Sequence, residues 1–493
     1  MHRKRRLLGV LTVGMTAMAV AAPAASAQAG TIFSVAGAGD SVFGAPRSAT
    51  GDGGPATDAR LTLPTDVAPL PGGGYLIADA ANARIRRVSR TGRITTVAGT
   101  GRLGSTGDGG PARSATFRAP TTVAVQADGG YLIGDSLANR IRRVSPGGTI
   151  TTVAGTGRLG FAGDGGPAVA ARIAVPGRIA PLADGGFVFA DTANHRIRAV
   201  DADGVILTIA GSGPSGERGG GFRGDGGPAT SARLNSPVGV AISPLGILIA
   251  DTSNNRIRLV TEEGLIGTVA GSGAPGQQGA AFGGDGRAAI GARLALPEDV
   301  EPSGAGGFYV VDGFNGRIRL VTRAGRIRTV AGRGLPDDGA ADPRSGGIGD
   351  GGPARRALMI PSSVERTPDG GLLLTDGFSN RVRFVRPVRT GRLALALVPL
   401  VRSGPKFSVG YVATQRARLR FDVLRGGRLV SRRSGQAGEP LRVRKLRPGR
   451  YTLRLIARTR DGQIATQTTT VTLTTGATRA SAASTDVLVP LGP

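Results

Sequence analysis

The chain has 493 residues, 83 of them glycine, with 40% apolar and only 4% aromatic side chains. That balance suits a globular protein rich in tight turns and long enough for more than one core. It has no cysteine and two histidines, His2 and His195, which excludes disulfides, thiolate or histidine-bound zinc, and a serine–histidine–aspartate triad built on a lone turn histidine.

Residues 1–27 read as a secretory signal peptide. Arg3, Lys4, Arg5 and Arg6 precede an apolar run, and Ala25 and Ala27 suit cleavage after Ala27. Charge then follows the chain unevenly. Residues 28–385 carry 37 basic and 30 acidic side chains, whereas residues 386–493 carry 21 and 4. The formal net charge of +28 is therefore concentrated near the C-terminus.

"TIFSVAG" at 31–37 is the first strand, and "VAG" or "IAG" returns at Val97, Val153, Ile209, Val269 and Val330. "GDGGPA" recurs at 51–56, 107–112, 163–168, 224–229 and 349–354, with "GDGRAA" at 284–289. A proline opens another run at Pro64, Pro120, Pro176, Pro237, Pro297 and Pro361. An aspartate closes a third run at Asp79, Asp135, Asp191, Asp251, Asp312 and Asp376, with "RIR" or "RVR" five residues later. Each period of 56 to 64 residues holds four short β-branched strands bounded by turn residues. Six such units predict an all-β, six-bladed β-propeller over 28–388. The lone strand at 31–37 is expected to complete the sixth blade, with "RTGRLALALV" at 389–398 as its rival.

The pattern resembles the NHL repeat in its long bacterial form, similar to the NHL propeller of teneurins. "TVAGTGRLGSTGDGGPARSATFRAP" (96–120) and "ADTANHRIRAV" (190–200) carry the resemblance. It implies a propeller fold, and it leaves function open among protein or RNA binding, adhesion and catalysis.

The acidic loop reads as a joint between blades. Its glycines supply positive φ, its aspartate is expected to accept a nearby backbone N–H in an Asx-turn, and the proline leads into one helical turn. Calcium needs six to eight oxygens, and each loop offers one carboxylate. "GTGRLG" at 99–104 and 155–160 matches a dinucleotide fingerprint without the βαβ unit that it requires. In the D-x-x-N-x-R-I-R turn, Asp and Asn are turn formers, and the arginine five positions after Asp is expected to pair with it across the hairpin. Asn sits at Asn82, Asn194, Asn254 and Asn315 and slides by one at Asn139 and Asn380.

Function is expected where one copy departs from the others. At the head of the innermost strands, Asp66, Glu298 and Asp299 face Arg178 across the ring, predicting a channel mouth acidic on one side and basic on the other. These four are the candidate ligand-binding residues. No cofactor is required, although Asp66 and Asp299 could take calcium. The alternative is a lactonase- or lyase-type enzyme with Asp66, Glu298 and Asp299 as carboxylate catalysts.

Beyond the repeats, "ARLRFDVL" (417–424) and "GRYTLRLIARTR" (449–460) alternate strictly. They predict a small immunoglobulin- or fibronectin-III-like β-sandwich over 389–475, followed by a flexible tail at 476–493. Arg418, Arg420, Arg454, Arg458 and Arg460 would line one face and bind a polyanion. Aromatic stacking residues are too sparse there for specific nucleic-acid reading. Two functions compete: a secreted, non-enzymatic propeller that binds a protein or glycan and is held to anionic envelope polymers or a membrane surface, or the carboxylate enzyme above.

Overall fold

The computed structural model describes residues 30–39, 50–216, 219–276, 279–335, 349–386, 395–400, 406–413, 418–436, 441–444, 449–458 and 464–473. The signal peptide expected at 1–27, Arg460 and the tail expected at 476–493 lie outside these residues. The chain divides into two compact units, the division falling after Pro387. No helix among the described residues is long and apolar enough to cross a membrane.

The first unit is built from repeated four-stranded antiparallel sheets, six among the described residues. The innermost strands are Pro64–Pro69, Pro120–Val125, Pro176–Pro181, Gly239–Ser243, Asp299–Pro302 and Pro361–Arg366. Each touches the next, and the last touches the first, so they enclose a channel in the manner of a β-propeller. We number the sheets one to six in that order. Sheet six takes its outermost strand from the start of the chain: Ile32–Ala36 pairs antiparallel with Arg381–Val385, Ile32 opposite Val385. The rival segment is used elsewhere, because Leu395–Leu400 pairs with Lys406–Ala413 in the second unit.

The recurrent loop is a joint, fastened differently from the Asx-turn expected of it. The Asp52 carboxylate accepts Arg86 Nη2 at 2.7 Å and the Thr96 N–H at 3.0 Å, both from sheet one. Asp108, Asp164, Asp225, Asp285 and Asp350 hold Arg142, Arg198, Arg258, Arg319 and Arg383 at 2.6–2.8 Å. The first glycine is there for close approach, since a Cβ on Gly51 would stand 2.8 Å from Ala59 Cα. A single 3-10 turn, Ala56–Asp58, follows the proline and carries a buried Ala59 and Leu61 behind it. At the next joint, Ala115 and Phe117 fill the space between sheets one and two, among Ala78, Val123 and Ile133.

The turn aspartates also choose a partner other than the one expected. Asp79 lies opposite Arg84 in the ladder, but its ion pair is with Arg86, seven residues on, at 3.3 Å. Arg84 instead donates to the Asn82 and Thr100 carbonyls. Side chains alternate along a strand, so Arg86 points into the sheet package, where it is wholly buried. Six fully buried arginines are held by the joints, and five of them, Arg86, Arg198, Arg258, Arg319 and Arg383, also pair with the turn aspartate of their sheet. Charge in the propeller balances because it is paired internally.

The sliding asparagine has a conformational cause. The fourth residue after each turn aspartate is left-handed, at Ala83, Asn139, His195, Asn255, Gly316 and Asn380. Asn139, Asn255 and Asn380 use that position to accept the N–H of Val175, Leu296 and Leu63 in the following sheet. His195 does the same work. Its Nδ1 accepts the Ser236 N–H at 2.9 Å, and its Nε2–H donates to the Gly216 carbonyl at 2.6 Å.

The second unit holds a three-stranded antiparallel sheet, Leu395–Leu400, Lys406–Ala413 and Leu441–Arg444. It also holds a four-stranded one, in the order Arg428–Gln436, Arg418–Arg425, Gly449–Arg458, Ile464–Leu473. Leu419, Phe421, Val423, Tyr451, Leu453 and Leu455 are buried on one face of the latter.

Candidate functional site

The second residue after each repeated proline turns toward the axis. In three sheets that residue is charged, and the structure brings all three together. Arg178 reaches across from sheet three, forms an ion pair with Asp66 of sheet one, and stands 3.4 Å from Asp299 Oδ2 of sheet five. It also donates to the Thr65 carbonyl at 3.2 Å and the Ser362 carbonyl at 2.9 Å. Exposure is 2% for Asp66, 8% for Arg178 and 4% for Asp299, so this end of the channel is closed by a buried ion-pair bar. The predicted division into an acidic and a basic half has collapsed onto itself.

The carboxylates are further occupied by backbone. Asp66 accepts the Val67 N–H at 2.7 Å, the Thr122 hydroxyl at 2.8 Å and the Val123 N–H at 2.9 Å. Asp299 accepts the N–H groups of Val300 at 2.9 Å and Val364 at 3.1 Å. Each therefore also stitches its own inner strand to the next. Burial pushes Asp299 up to about 6 despite Arg178. Among the described residues, no group of three or more acidic or histidine side chains is placed to hold a metal ion.

Glu298 stands apart from this bar. Its carboxyl lies against the turn of sheet five, where a Cβ on Gly313 would come within 3.2 Å of Oε1. Burial pushes it up to about 7, the charge of Arg178 opposing and that of Asp299 assisting.

Beyond the bar the channel opens into a cavity of about 490 Å³ that runs to the far ends of the inner strands at Pro69, Pro181 and Pro302. The cavity mouth is thus at the end opposite the one expected from sequence. Its wall carries two carboxylates that sequence reasoning missed, Glu301 and Glu365, where other sheets have Ala68, Ala124, Ala180 and Ala241. Burial raises both, and the neighbouring carboxylates push the same way. The signal was present: period-two alternation carries Asp299 to Glu301 on the same face.

In the second unit, Arg420 and Arg454 lie on the face opposite the buried apolar row. Arg418 stands opposite Arg458 in the ladder, two residues along from Arg420 and four from Arg454. The centre of this face holds a fully buried acid that was not anticipated, Asp422, with Arg432 on one side and Arg454 on the other.

No protein-family model matches the chain. Mouse teneurin-3 is 31% identical over 253 residues, 47% of this chain and 9% of that protein. Chicken NHL repeat-containing protein 2 is 41% identical over 90 residues, 18% of this chain and 11% of that protein. A solved structure of a Bacteroides thetaiotaomicron protein of unknown function superposes with a TM-score of 0.50 at 17% identity, over 72% of this chain and 76% of that one. The chain is similar to NHL-repeat proteins over its repeats, and its fold is that of a propeller. It spans only about a tenth of the curated relatives' length. What the NHL repeats share here is the joint, the turn and the buried arginine. Asp66, Arg178, Asp299, Glu301 and Glu365 stand where the repeats differ.

Proposed function

We propose that this protein is a six-bladed NHL propeller working outside the cytoplasm as a non-enzymatic recognition module for a protein or glycan. In this reading an immunoglobulin-like C-terminal sandwich holds it to anionic envelope polymers. The observation that carries the first half is the Arg178 bar. Asp66 and Asp299 are committed to Arg178 and to backbone N–H groups, which supports a binding over a general-base role, since a base needs a free lone pair within reach of its proton. What remains is a cavity whose apolar wall carries Glu301, Glu365 and Arg366 and whose floor is the Arg178 bar, the form of a binding pocket.

The second half rests on the arginine face. Washed cell envelopes are incubated with the full chain at low and high salt and sedimented. We expect salt-reversible co-sedimentation of the wild type and its loss in an Arg420→Glu/Arg454→Glu variant. Equal sedimentation of the variant would remove the anchor.

Glu298 supports a second reading, a lactonase- or lyase-type enzyme, because a carboxyl near 7 suits general acid–base work. That enzyme would use Glu298 and the cavity carboxylates, with Asp66 and Asp299 in supporting roles.

A further inference from the structure

Alternate residues of a strand point the same way, so the inner strands meet the channel in rings. The ring two residues after the repeated proline is the Arg178 bar. The next, about 7 Å along, holds Ala68, Ala124, Ala180 and Ala241 in four sheets, and Glu301 and Glu365 in sheets five and six. Sheets five and six are neighbours, so the two carboxylates share one side of the cavity and repel each other.

The acids of these rings take a backbone donor from the next sheet. Asp66 and Asp299 accept the N–H three residues after that sheet's proline, from Val123 and Val364. Glu301 accepts the N–H five residues after it, from Arg366. For Glu365 the equivalent position is Pro69 of sheet one, which has no N–H to give. Glu365 accordingly accepts no hydrogen bond and forms no ion pair among the described residues, although it stands enclosed in the channel. The cations that line the cavity do not take that place. Arg178 is committed to Asp66, Asp299 and two carbonyls in the ring below. Arg366 is exposed and lies over the loop of sheet five, where a Cβ on Gly304 would run into its Nη1.

An enclosed carboxylate without a donor is costly, because the solvation it has lost is not replaced. A ligand cation would replace it, and the wall decides which cation. Calcium needs six to eight oxygens, whereas the rest of this ring is methyl groups. An alkylammonium is a compact charge with three N–H donors, enough to bridge two carboxylates, and its methylenes pack against alanine. We infer that Glu301 and Glu365 form a cation subsite in the channel that takes a primary ammonium group on an unbranched alkyl stem. The inference rests on the reading of the cavity as a binding pocket and names the chemistry that the pocket selects. Both a lysine side chain of a protein and a free diamine carry that group.

Protons report on the site. Glu301 faces Asp299, Arg366 and Tyr309, and Glu365 faces Glu301, Asp66, Asp299 and Arg178. Burial pushes Glu301 up to about 8 and Glu365 well above its ordinary value, so an ammonium seated between them displaces a proton. The full chain is titrated calorimetrically with cadaverine, N-acetyl-lysine methylamide, pentanediol, calcium chloride and diacetylchitobiose. At least one amine should bind and pentanediol should not, with affinity rising about tenfold from pH 6 to pH 7. Glu365→Ala installs the residue of four other sheets, so it should fold and bind at least tenfold more weakly, as should Glu301→Gln. Binding of the lysine amide assigns the group to a protein, and binding of cadaverine alone assigns it to a free amine; both uphold the subsite. Equal amine binding by Glu365→Ala, affinity that falls with pH, or calcium binding in place of the amines would overturn it. If both amines are silent and diacetylchitobiose binds, the subsite falls and the pocket stands. Silence of every probe takes down the pocket reading as well.

Discussion

At the scale of the residue, the six buried arginines fasten the joints to the sheets, and their cost is instructive. A charge removed from water is tolerable only when paired and fully hydrogen-bonded. Arg258 meets that condition with Asp225 at 2.6 Å, Asp251 at 3.7 Å and the Arg233 carbonyl at 2.9 Å. Arg258→Met would leave Asp251 buried without its cation, and should lower unfolding free energy by about 3–5 kcal/mol in chemical denaturation. A loss below about 1 kcal/mol would contradict the role assigned to the pair. His195 is a contrasting case. The same left-handed position holds Asn139, Asn255 and Asn380 in other sheets, so His195→Asn should be nearly neutral. His195→Val should cost about 2–4 kcal/mol, from a β-branched residue at positive φ and an orphaned Ser236 N–H. If the two variants were equally stable, the clasp between sheets three and four would not exist.

At the scale of the element, the strand count and order were legible because the unit recurs six times, and each repetition tests the one before it. The turn, the joint and the closing strand at 31–37 all follow from that register. Pairings across the fold were not legible. Asp52 and Arg86 stand 34 residues apart and meet only when the joint lies over strands three and four of its sheet. A local pattern therefore favoured an Asx-turn and a five-residue hairpin pair, and tertiary packing overrode both. The closing strand carries its own prediction. Removing residues 28–38 deletes the ladder from Ile32 to Ala36 and leaves Arg381–Val385 as a bare edge. Thermal unfolding should then fall by at least 10 °C, on the order of several kcal/mol for a unit this size. Amide exchange should rise first in Arg381–Val385. An unchanged midpoint would mean that the ring does not depend on this latch.

At the scale of the whole molecule, the candidate site was half legible. The charged departures after the repeated proline could be read directly, but their outcome depends on channel width. The inner strands lie close enough for one arginine to span them, and no sequence pattern states that distance. The same closeness buries several carboxyl groups, which sets the pH dependence of the fold. Asp52, Asp108 and Asp285 are partly buried, and bonds from threonine and arginine outweigh that burial and hold them below their ordinary value. Their stabilisation is present above the unfolded pKa, near 4, and is lost as pH falls. Glu298 at about 7, Asp299 at about 6, and Glu301 and Glu365 are raised by burial. They bind more protons folded than unfolded, so their contribution is complete below about 4 and disappears as pH rises through the folded values. The turn aspartates Asp191, Asp251 and Asp312, each at about 6, act in the same direction. Thermal stability should therefore peak on the acid side, at about pH 4–5, and decline toward pH 8. Calorimetry across that range reads it directly. A Glu301→Gln/Glu365→Gln variant removes two of the carboxylates that must ionise inside the channel, so its midpoint should exceed that of the wild type at pH 8 and match it at pH 5. A wild-type midpoint that climbs toward pH 8 would mean that water or a bound cation already compensates the carboxylates of the channel, and burial would then not set their ionisation.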